Sequence, residues 1–445
     1  MSRGRSFLIL LVVGLGLGAY IYFVERHRPP AEERDAETLE KVFPDLDAAK
    51  LTELTVKAAS GATTTLKKEG ASWQIVAPIQ GAADESEVSS ITSNLSTLEI
   101  QRVLVEKPKD VAQYGLAEPR VEVTFRVSGQ PKPHQLLIGE KTPTEGDLYA
   151  RVDGAPRVIL VPSGLETTFD RDTFALRDKS VLTFDRDKVD RLDARSASWE
   201  LQLVKKGDTW QMAKPWSTRV DSGTVESLLG SLASGQMKAL IADDAKTLDT
   251  YALDKPSVTV TLHSGSTSAS LLLGRDADEE GVYAKDGSRP MVFTVESTLA
   301  DDLRREPSEY RPKELFAFQN VTGQRLEITR DGTKRLFEKR KESKDDSAPE
   351  RWTQVQPQAK VDAATVDDLA SRIADLRADS YVDSLPAGSA QVVAITAVSE
   401  GDKSESVTLY RSGKEAYAVR TGEPGAATIP ADTLDDVVKA LDAVK

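Results

Sequence analysis

The sequence has no cysteine and only 3 histidines among its 445 residues. Without cysteine the chain cannot form a disulfide, bind a metal through thiolates or carry a lipid as a lipoprotein. This absence fits either side of a membrane, so it does not decide the compartment. His27, His134 and His263 have no partner at metal-ligand spacing, and we place the last two in or beside solvent-facing strand positions. We therefore expect no metal site.

Basic residues are fewer than acidic ones, and the common catalytic motifs are absent. The 58 Lys and Arg residues are outnumbered by 71 Asp and Glu, and the net charge of -13 argues against nucleic-acid binding, which needs clustered cations. The sequence has no Gly-x-x-x-x-Gly-Lys-Ser/Thr loop, no Gly-x-Gly-x-x-Gly after a strand and no Gly-x-Ser-x-Gly elbow. We expect no cofactor and no catalytic residue, although the many carboxylates leave open a glycan hydrolase that uses a carboxylate pair.

The most prominent feature of the sequence is a segment that occurs three times. Each copy has a Trp, a Pro five positions later and an Asp shortly after the Pro: Trp73, Pro78 and Asp84; Trp210, Pro215 and Asp221; Trp352, Pro357 and Asp362. Apolar residues follow each Asp at offsets of 4, 7 and 11, which lie on one face of a helix. The pattern predicts an amphipathic helix in each copy.

The repeated Asp and Trp each allow a structural and a functional interpretation. A carboxylate just before a helix caps the free NH groups and complements the helix dipole, and we prefer this role to a catalytic or calcium-binding one. Asp84 with Glu87 resembles a capping box. A Trp at one framework position is typical of a core residue packed on the helix, and a ligand platform is the alternative.

The first two copies share a further motif, which runs from Tyr114 to Pro119 and from Tyr251 to Pro256. Apolar and polar residues alternate in the strand after it, which predicts a sheet with one buried and one wet face. The third copy lacks this motif and has a charged insertion at residues 338–351, which we interpret as a hairpin loop. The sequence thus predicts an α+β fold of three tandem repeats, each a mainly antiparallel sheet with a packed helix: repeat 1 at 42–180, repeat 2 at 181–314 and a degenerate repeat 3 at 315–445.

The amino terminus predicts a membrane anchor. Residues 7–24 carry no charge, and as a helix they would span about 27 Å, enough to cross a bilayer once. Residues 1–6 would then be a short cytoplasmic tail, and residues 25–41, rich in charge and with two prolines, a stalk. A signal peptide cleaved near Ala19 is the alternative. With the span retained, we expect the bulk of the chain on the periplasmic side of a bacterial inner membrane.

The amino-terminal span, the Trp-to-Pro motif with its Asp-capped helix and the Tyr-to-Pro motif together resemble the bacterial family named domain of unknown function 4340. The resemblance covers nearly everything after the anchor. It implies a membrane-anchored protein found beside ABC-type transport systems of the gliding-motility kind, and it supplies no catalytic residues. We therefore expect a non-enzymatic accessory or scaffold protein with a protein partner in an envelope complex. A periplasmic lipid- or glycan-binding module is the alternative, and a carboxylate-based hydrolase the third hypothesis.

Overall fold

The computed structural model describes most of the chain after residue 38, namely residues 39–152, 154–277, 281–341 and 349–445. The chain divides into two compact units, one that ends at Lys179 and one that runs from Ser180 to Lys445.

The predicted cytoplasmic tail at 1–6, the predicted anchor at 7–24 and all but the last residues of the predicted stalk at 25–41 lie outside the described residues. Within the described ranges, no helix is both long and apolar enough to span a membrane.

One strand order recurs in three sheets. Each sheet has nine strands, and in the first the order is β4-β3-β2-β1-β6-β7-β8-β9-β5. The pairings along all three sheets are antiparallel. Repeat 1, repeat 2 and repeat 3 below denote the segments that form the first, second and third sheet with their helices. The predicted α+β class, with tandem antiparallel sheets and packed helices, is confirmed.

Repeat 1 has its main helix between the fourth and fifth strands. The strands are β1 (Leu51–Lys57), β2 (Thr63–Glu69), β3 (Ser72–Ala77), β4 (Gly81–Ala82), β5 (Arg102–Val105), β6 (Val121–Val127), β7 (His134–Lys141), β8 (Asp147–Val152) and β9 (Val158–Pro162). The helices are α1 (Glu85–Thr97), α2 (Glu166–Phe169) and α3 (Thr173–Leu176). A 3-10 turn at Ala112–Tyr114 holds the start of the Tyr-to-Pro motif.

Repeat 2 follows the same plan. Its strands are β10 (Arg191–Ser196), β11 (Glu200–Lys206), β12 (Thr209–Lys214), β13 (Thr218–Arg219), β14 (Ala239–Ala242), β15 (Val258–Ser264), β16 (Thr267–Asp276), β17 (Val282–Asp286) and β18 (Val292–Val295). Its helices are α4 (Ser222–Ser234) and α5 (Ser297–Leu303). A 3-10 helix at Pro307–Tyr310 leads towards repeat 3.

Repeat 3 completes the series and ends in a longer helix. Its strands are β19 (Gly323–Arg330), β20 (Thr333–Lys341), β21 (Glu350–Gln356), β22 (Gln358–Ala359), β23 (Ser380–Val382), β24 (Ala390–Ser399), β25 (Lys403–Ser412), β26 (Glu415–Arg420) and β27 (Ala426–Ile429). Its helices are α6 (Ala363–Ala374) and α7 (Ala431–Ala443).

The strand order explains how the main helix reaches the core. In repeat 1, β4 and β5 are the two edge strands, and α1 lies between them in sequence. The chain therefore crosses one face of the sheet as a helix, pairs β5 with β9 at the far edge, and returns to the centre, where β6 pairs with β1. The predicted apolar face of the helix, Val88, Ile91 and Leu95, is fully buried against that sheet face.

Alternation along the strands follows the prediction. In β6, Val121, Val123, Phe125 and Val127 are at most 5% exposed, whereas the residues between them are half-buried or exposed. Successive side chains of a strand point to opposite faces, so one face of the sheet packs on the helix and the other meets solvent. Each fully buried aliphatic or aromatic side chain contributes roughly 1.5–3 kcal/mol through burial.

The structure corrects the sequence interpretation in two places. The short edge strands β4, β5 and their counterparts were not predicted, because two to four residues are too few for a recognisable alternation. The predicted hairpin loop at 338–351 is wrong at both ends, since residues 338–341 belong to β20 and residues 350–351 to β21. These charged residues pair across two antiparallel strands, where polar side chains fit the wet face.

Candidate functional site

The repeated tryptophans lie on the same strand of their sheets, β3, β12 and β21. Trp73, Trp210 and Trp352 are 6%, 2% and 1% exposed. The indole Nε1 of Trp210 donates to Glu226 Oε1 at 2.9 Å, and that of Trp352 donates to Asn320 Oδ1 at 2.9 Å. All three are core residues, and the indole NH of Trp210 and that of Trp352 are satisfied inside the fold. Such buried rings favour the core interpretation over the ligand platform.

The repeated aspartates are the N-caps of α1, α4 and α6. Asp84 accepts hydrogen bonds from the second and third NH groups of α1 at 3.1 and 3.2 Å. Asp221 accepts from one NH of α4 at 2.9 Å, and Asp362 from one NH of α6 at 3.0 Å. The predicted capping role is confirmed, because each carboxylate satisfies a donor that the helix itself leaves free.

The predicted capping box at Asp84 and Glu87 is only half present. The backbone NH of Asp84 donates to the carbonyl of Leu176 at 2.9 Å instead of to Glu87. The Glu87 carboxylate lies 3.0 Å from Nε of Arg171. Asp84 also accepts from Nζ of Lys179 at 2.8 Å. Contacts with Arg171, Leu176 and Lys179 near the end of repeat 1 thus replace the reciprocal hydrogen bonds between Asp84 and Glu87 that a capping box requires.

The repeated prolines mark turns. Pro78, Pro215 and Pro357 each follow a cis peptide bond, and each is exposed between the Trp strand and the short edge strand after it. Pro119 and Pro256 end the Tyr-to-Pro motif just before β6 and β15.

The repeated tyrosines join two motifs that lie far apart in sequence. The rings of Tyr114 and Tyr149 have centroids 5.0 Å apart, and those of Tyr251 and Tyr283 are 5.1 Å apart. Tilted or edge-to-face ring pairs of this kind stabilise packing beyond the area they bury. The Tyr-to-Pro motif therefore packs on the third meander strand of its own sheet, β8 or β17.

A glycine in the second meander strand makes room for this motif. A Cβ on Gly139 would lie 2.1 Å from the carbonyl oxygen of Tyr114, and a Cβ on Gly274 would lie 2.0 Å from that of Tyr251. Only glycine permits so close an approach of two backbone segments. This contact explains why both strands have a glycine two positions before their last residue, and the role of that glycine is structural.

The three histidines do not form a site. His134 is half-buried and stacks on Phe125, with centroids 5.2 Å apart. His263 Nε2 lies 2.9 Å from Asp193 Oδ2 and 2.9 Å from Arg191 Nη2, and His27 lies outside the described residues. In the part of the chain that the structure describes, no three acidic or histidine side chains are grouped to hold a metal ion.

In the compact unit from Ser180 to Lys445, five charged residues meet where repeat 2 joins repeat 3. We call them the joint cluster: Arg219, Arg311, Glu405, Arg420 and Glu423. Oε1 of Glu423 lies 2.5 Å from Nε of Arg219 and 3.0 Å from Nη1 of Arg420. Oε2 of Glu423 lies 3.2 Å from Nη2 of Arg311, and Arg420 also pairs with Glu405.

The members of the joint cluster come from both repeats and from the segment between them. Arg219 ends β13 of repeat 2, and Arg311 follows the 3-10 helix at Pro307–Tyr310. Arg420 ends β26 of repeat 3, and Glu423 lies in the turn before β27. One carboxylate therefore connects two sheets and their linker.

Glu423 and Arg311 are buried, with side chains 6% and 4% exposed. Burial alone would raise the pKa of Glu423, but the attraction of Arg219, Arg420 and Arg311 outweighs it and holds the pKa of this carboxyl below its usual value. Glu423 is therefore ionised at neutral pH, and the three guanidinium groups around it compensate its buried charge.

A tyrosine covers the guanidinium of Arg311. The guanidinium carbon lies 3.7 Å from the ring centroid of Tyr381, a close cation–π contact. The Tyr381 hydroxyl donates to the carbonyl of Pro312 at 2.7 Å, and burial raises the pKa of this phenol, so it stays protonated. Tyr381 of repeat 3 thus contacts two successive residues of the linker between the repeats, Arg311 and Pro312.

A cleft of about 650 Å³ opens beside the joint cluster. Repeat 2 contributes Trp199, Pro215 and Trp216 to its lining, and repeat 3 contributes Tyr381. Arg311 of the linker is also part of the lining. Both tryptophans are half-buried, so part of each indole remains accessible. Within the described residues, this cleft therefore offers apolar, aromatic and charged groups side by side.

The family model described as Domain of unknown function (DUF4340) matches residues 73–215 and 210–392. This chain belongs to the DUF4340 family. The two matched segments begin at Trp73 and Trp210, and the first ends at Pro215. A DUF4340 segment thus runs from one Trp-to-Pro motif into the next, and is offset from the structural repeat, which begins two strands before its Trp strand.

No curated protein matches this DUF4340 chain. Two crystal structures of the DNA polymerase sliding clamp from Pseudomonas aeruginosa, one of them with a ligand, align at 8% identity over 88% of this chain and 94% or 93% of the clamp. The TM-score is 0.16 for both, so this likeness carries no argument about fold or function.

The repeat positions identified from the sequence do not include the joint cluster, and only Pro215 among them lines the cleft. One feature of the sequence could have indicated the cleft. Of the 5 tryptophans in the chain, three belong to the repeat, and the other two, Trp199 and Trp216, both line this cleft. In the other copies the residue after the repeated Pro is Ile79 or Gln358. The joint cluster itself joins residues up to 204 positions apart, which no local pattern indicates.

Proposed function

We propose that this DUF4340 protein is a membrane-anchored, extracytoplasmic accessory or scaffold protein of an envelope complex, with an ABC-type transport system as its partner. It carries no catalytic activity of its own in this proposal. Residues 7–24 provide the single span, and the sheet repeats stand on the periplasmic side of the inner membrane.

The joint cluster is the observation that carries the scaffold role. A buried ion network adds little stability compared with apolar packing, but it imposes one geometry, since any other arrangement leaves a charge unpaired. Glu423 contacts arginines from repeat 2, the linker and repeat 3. A joint of this kind keeps repeat 2 and repeat 3 in one relative orientation, which is what a scaffold needs.

The carboxylates of the joint cluster are poorly suited to the hydrolase hypothesis. A glycoside hydrolase needs one carboxylic acid that is protonated near neutral pH. Glu405 and Glu423 both pair with Arg420, and the pKa of Glu423 is lowered. Glu423 therefore stays ionised, and Glu405 is held by the same arginine.

The experiment that tests the proposal is a pull-down in mild detergent from the native membrane. The full-length chain is compared with a chain that lacks residues 1–24. We expect both forms to capture transporter subunits, because the partner surface lies on the repeats. A Glu423→Gln variant should capture less, and Asp368→Asn, which alters an exposed pair with Arg372, is the matched control.

The scaffold proposal fails if neither form captures a protein. In that case the periplasmic lipid- or glycan-binding module takes its place. The cleft of about 650 Å³ with its two tryptophans is the observation that favours this second candidate, and a lipid or glycan that travels with the shortened form would support it.

A further inference from the structure

The cleft between repeats 2 and 3 has the size and the walls of a recognition site. Its volume of about 650 Å³ falls within the range of roughly 300–1,000 Å³ that ligand sites occupy. Its walls come from separate elements, the β10–β11 turn, the β12–β13 turn, the linker and β23, and the joint cluster connects repeat 2, the linker and repeat 3. The cleft is therefore largely formed before any partner arrives, which lowers the entropy cost of binding.

Arg311, the cation in the lining of this cleft, is occupied within the joint. Its Nη1 donates to the carbonyl of Pro424 at 2.9 Å and its Nη2 to Glu423 at 3.2 Å. Its Nε is buried, and the ring of Tyr381 covers the guanidinium. The carboxylate of Glu423 compensates the charge of Arg311. Arg311 therefore adds little positive charge to the cleft and offers no accessible donor.

Three carboxylates give the cleft a negative rim. Glu200, Glu306 and Asp383 line it, and all three are exposed. Glu306 and Asp383 have no ion-pair partner among the residues that the structure describes. Glu200 pairs with Lys214 at 3.0 Å, but both side chains are more than half exposed, and such a pair contributes little. The rim therefore attracts a cationic group and repels an anionic one.

The two cleft tryptophans differ from the tryptophans of the repeat. The indole NH groups of Trp210 and Trp352 donate to acceptors inside the fold. Those of Trp199 and Trp216 have no acceptor among the described residues, and both side chains are half-buried. An indole NH can only donate, so these two groups favour a ligand that brings hydrogen-bond acceptors. Their ring faces also offer a large apolar area to the rings of a ligand.

A ligand that suits all of these groups carries a cation, hydrogen-bond acceptors and compact apolar rings. A proline-rich segment supplies the acceptors and the rings, because its polyproline II backbone leaves the carbonyls free and its prolines pack on aromatic walls. A neighbouring Lys or Arg supplies the cation. We propose that the cleft docks an extended, proline-rich segment of a partner protein that carries a Lys or Arg. Its prolines lie against Trp199 and Trp216, and its basic side chain lies at Glu306 and Asp383.

The test measures peptide binding to the full-length protein in detergent by calorimetry. The probe is the acetylated and amidated peptide Ala-Pro-Pro-Arg-Pro-Pro-Ala. The controls are the same peptide with Ala in place of Arg, the same peptide with Ala in place of every Pro, and N-acetylarginine amide alone. We expect saturable binding of the probe, at least about tenfold tighter than binding of any control. No saturable binding of the probe, or equally tight binding of N-acetylarginine amide, overturns the proposal. Glucose that binds more tightly than the probe overturns it in favour of a sugar site.

Variants locate the binding in the cleft. Trp216→Ala should weaken probe binding about tenfold or more, as loss of a central aromatic contact does, whereas Ile79→Ala, at the same position of repeat 1, should leave it unchanged. Asp383→Asn should weaken probe binding and make it less dependent on salt, because the exposed rim charge is screened by ions. Asp368→Asn, an exposed carboxylate that does not line the cleft, is its control. Circular dichroism checks folding, and Asp383→Asn decides the proposal if Trp216→Ala is unfolded. Unchanged probe binding by either folded variant contradicts the proposal.

This inference rests on the proposed scaffold function, since it names the chemistry of the segment by which a transporter subunit would dock. Reduced transporter capture by Trp216→Ala, together with lost probe binding, supports both. Capture by Trp216→Ala at the wild-type level, with probe binding lost, overturns the cleft as the docking site and leaves the scaffold role intact. Probe binding by the wild type without any captured protein supports the cleft alone and contradicts the scaffold role.

Discussion

Glu423 shows how one side chain can hold two repeats. It is 6% exposed and accepts from three arginines that come from repeat 2, the linker and repeat 3. Its replacement by a neutral group would leave the guanidinium groups of Arg219, Arg311 and Arg420 close together without the carboxylate that they share. At the residue scale, the joint is therefore more sensitive to loss of the carboxylate than to loss of any exposed charge.

We predict that Glu423→Gln lowers the free energy of unfolding by about 3–5 kcal/mol, the usual cost of breaking a buried ion pair from one side. The midpoint of urea unfolding, followed by circular dichroism, measures the change. Asp368→Asn, whose exposed partner Arg372 lies 2.8 Å away, should cost less than about 1 kcal/mol. Equal losses in the two variants would contradict the assignment of Glu423 to the joint.

The pKa of Glu423 also predicts a pH dependence. Because its pKa is lower in the folded than in the unfolded chain, its stabilisation is complete above the unfolded pKa of about 4.3 and is lost as the pH falls through the folded pKa. Urea midpoints measured between pH 7 and pH 3 should therefore show the wild type and Glu423→Gln converging at the acid end. A difference that stays constant with pH would show that the carboxylate is not ionised in the folded state.

At the scale of elements, the repeat depends on contacts between its Tyr-to-Pro motif and the sheet meander. The backbone carbonyl of Tyr114 packs on Gly139, and the ring of Tyr114 packs on that of Tyr149. The same arrangement occurs at Gly274 and Tyr251 in repeat 2. The glycine, the two tyrosines and the turn are thus parts of one packing unit.

We predict that Gly139→Ala destabilises repeat 1 by about 1–3 kcal/mol, because the new Cβ would meet a backbone oxygen at 2.1 Å. Gly146→Ala is the matched control, since a Cβ there meets nothing within 4 Å. Thermal unfolding of both variants tests the difference. A Gly139→Ala protein as stable as the Gly146→Ala protein would show that the Tyr-to-Pro motif can move away from the new Cβ without loss of stability.

At the scale of the whole molecule, the proposed anchor at residues 7–24 would decide which compartment the repeats face. The chain has no cysteine, so one engineered cysteine provides a unique label. Val321, 89% exposed, offers an accessible position in repeat 3.

We predict that Val321→Cys reacts with a membrane-impermeant maleimide once the outer membrane is permeabilised, because the proposal places repeat 3 in the periplasm. Ser2→Cys should react only after the inner membrane is dissolved, since the proposed tail at 1–6 is cytoplasmic. Gel-shift of the labelled protein gives the result. Labelling of both positions before detergent is added would contradict an uncleaved, single-span anchor with this orientation.

The sequence by itself determined the repeated framework. Trp73, Asp84 and the apolar face of α1 follow local spacings, and local spacing is what helix periodicity and capping express. The Tyr-to-Pro motif and the Tyr at the start of the third meander strand were also visible, although their mutual contact was not. Short edge strands escaped prediction because they contain too few residues to show a period.

Only the tertiary structure decided the joint and the cleft. The members of the joint cluster lie up to 204 residues apart, and each is an ordinary surface-type residue in its local sequence. Their charges acquire a role because folding removes them from water and places them together, where an unpaired charge is costly and a paired one selects a single geometry. Trp199 and Trp216 were recognisable as tryptophans outside the repeat, but only the docking of repeat 3 on repeat 2 turns them into the walls of one cleft.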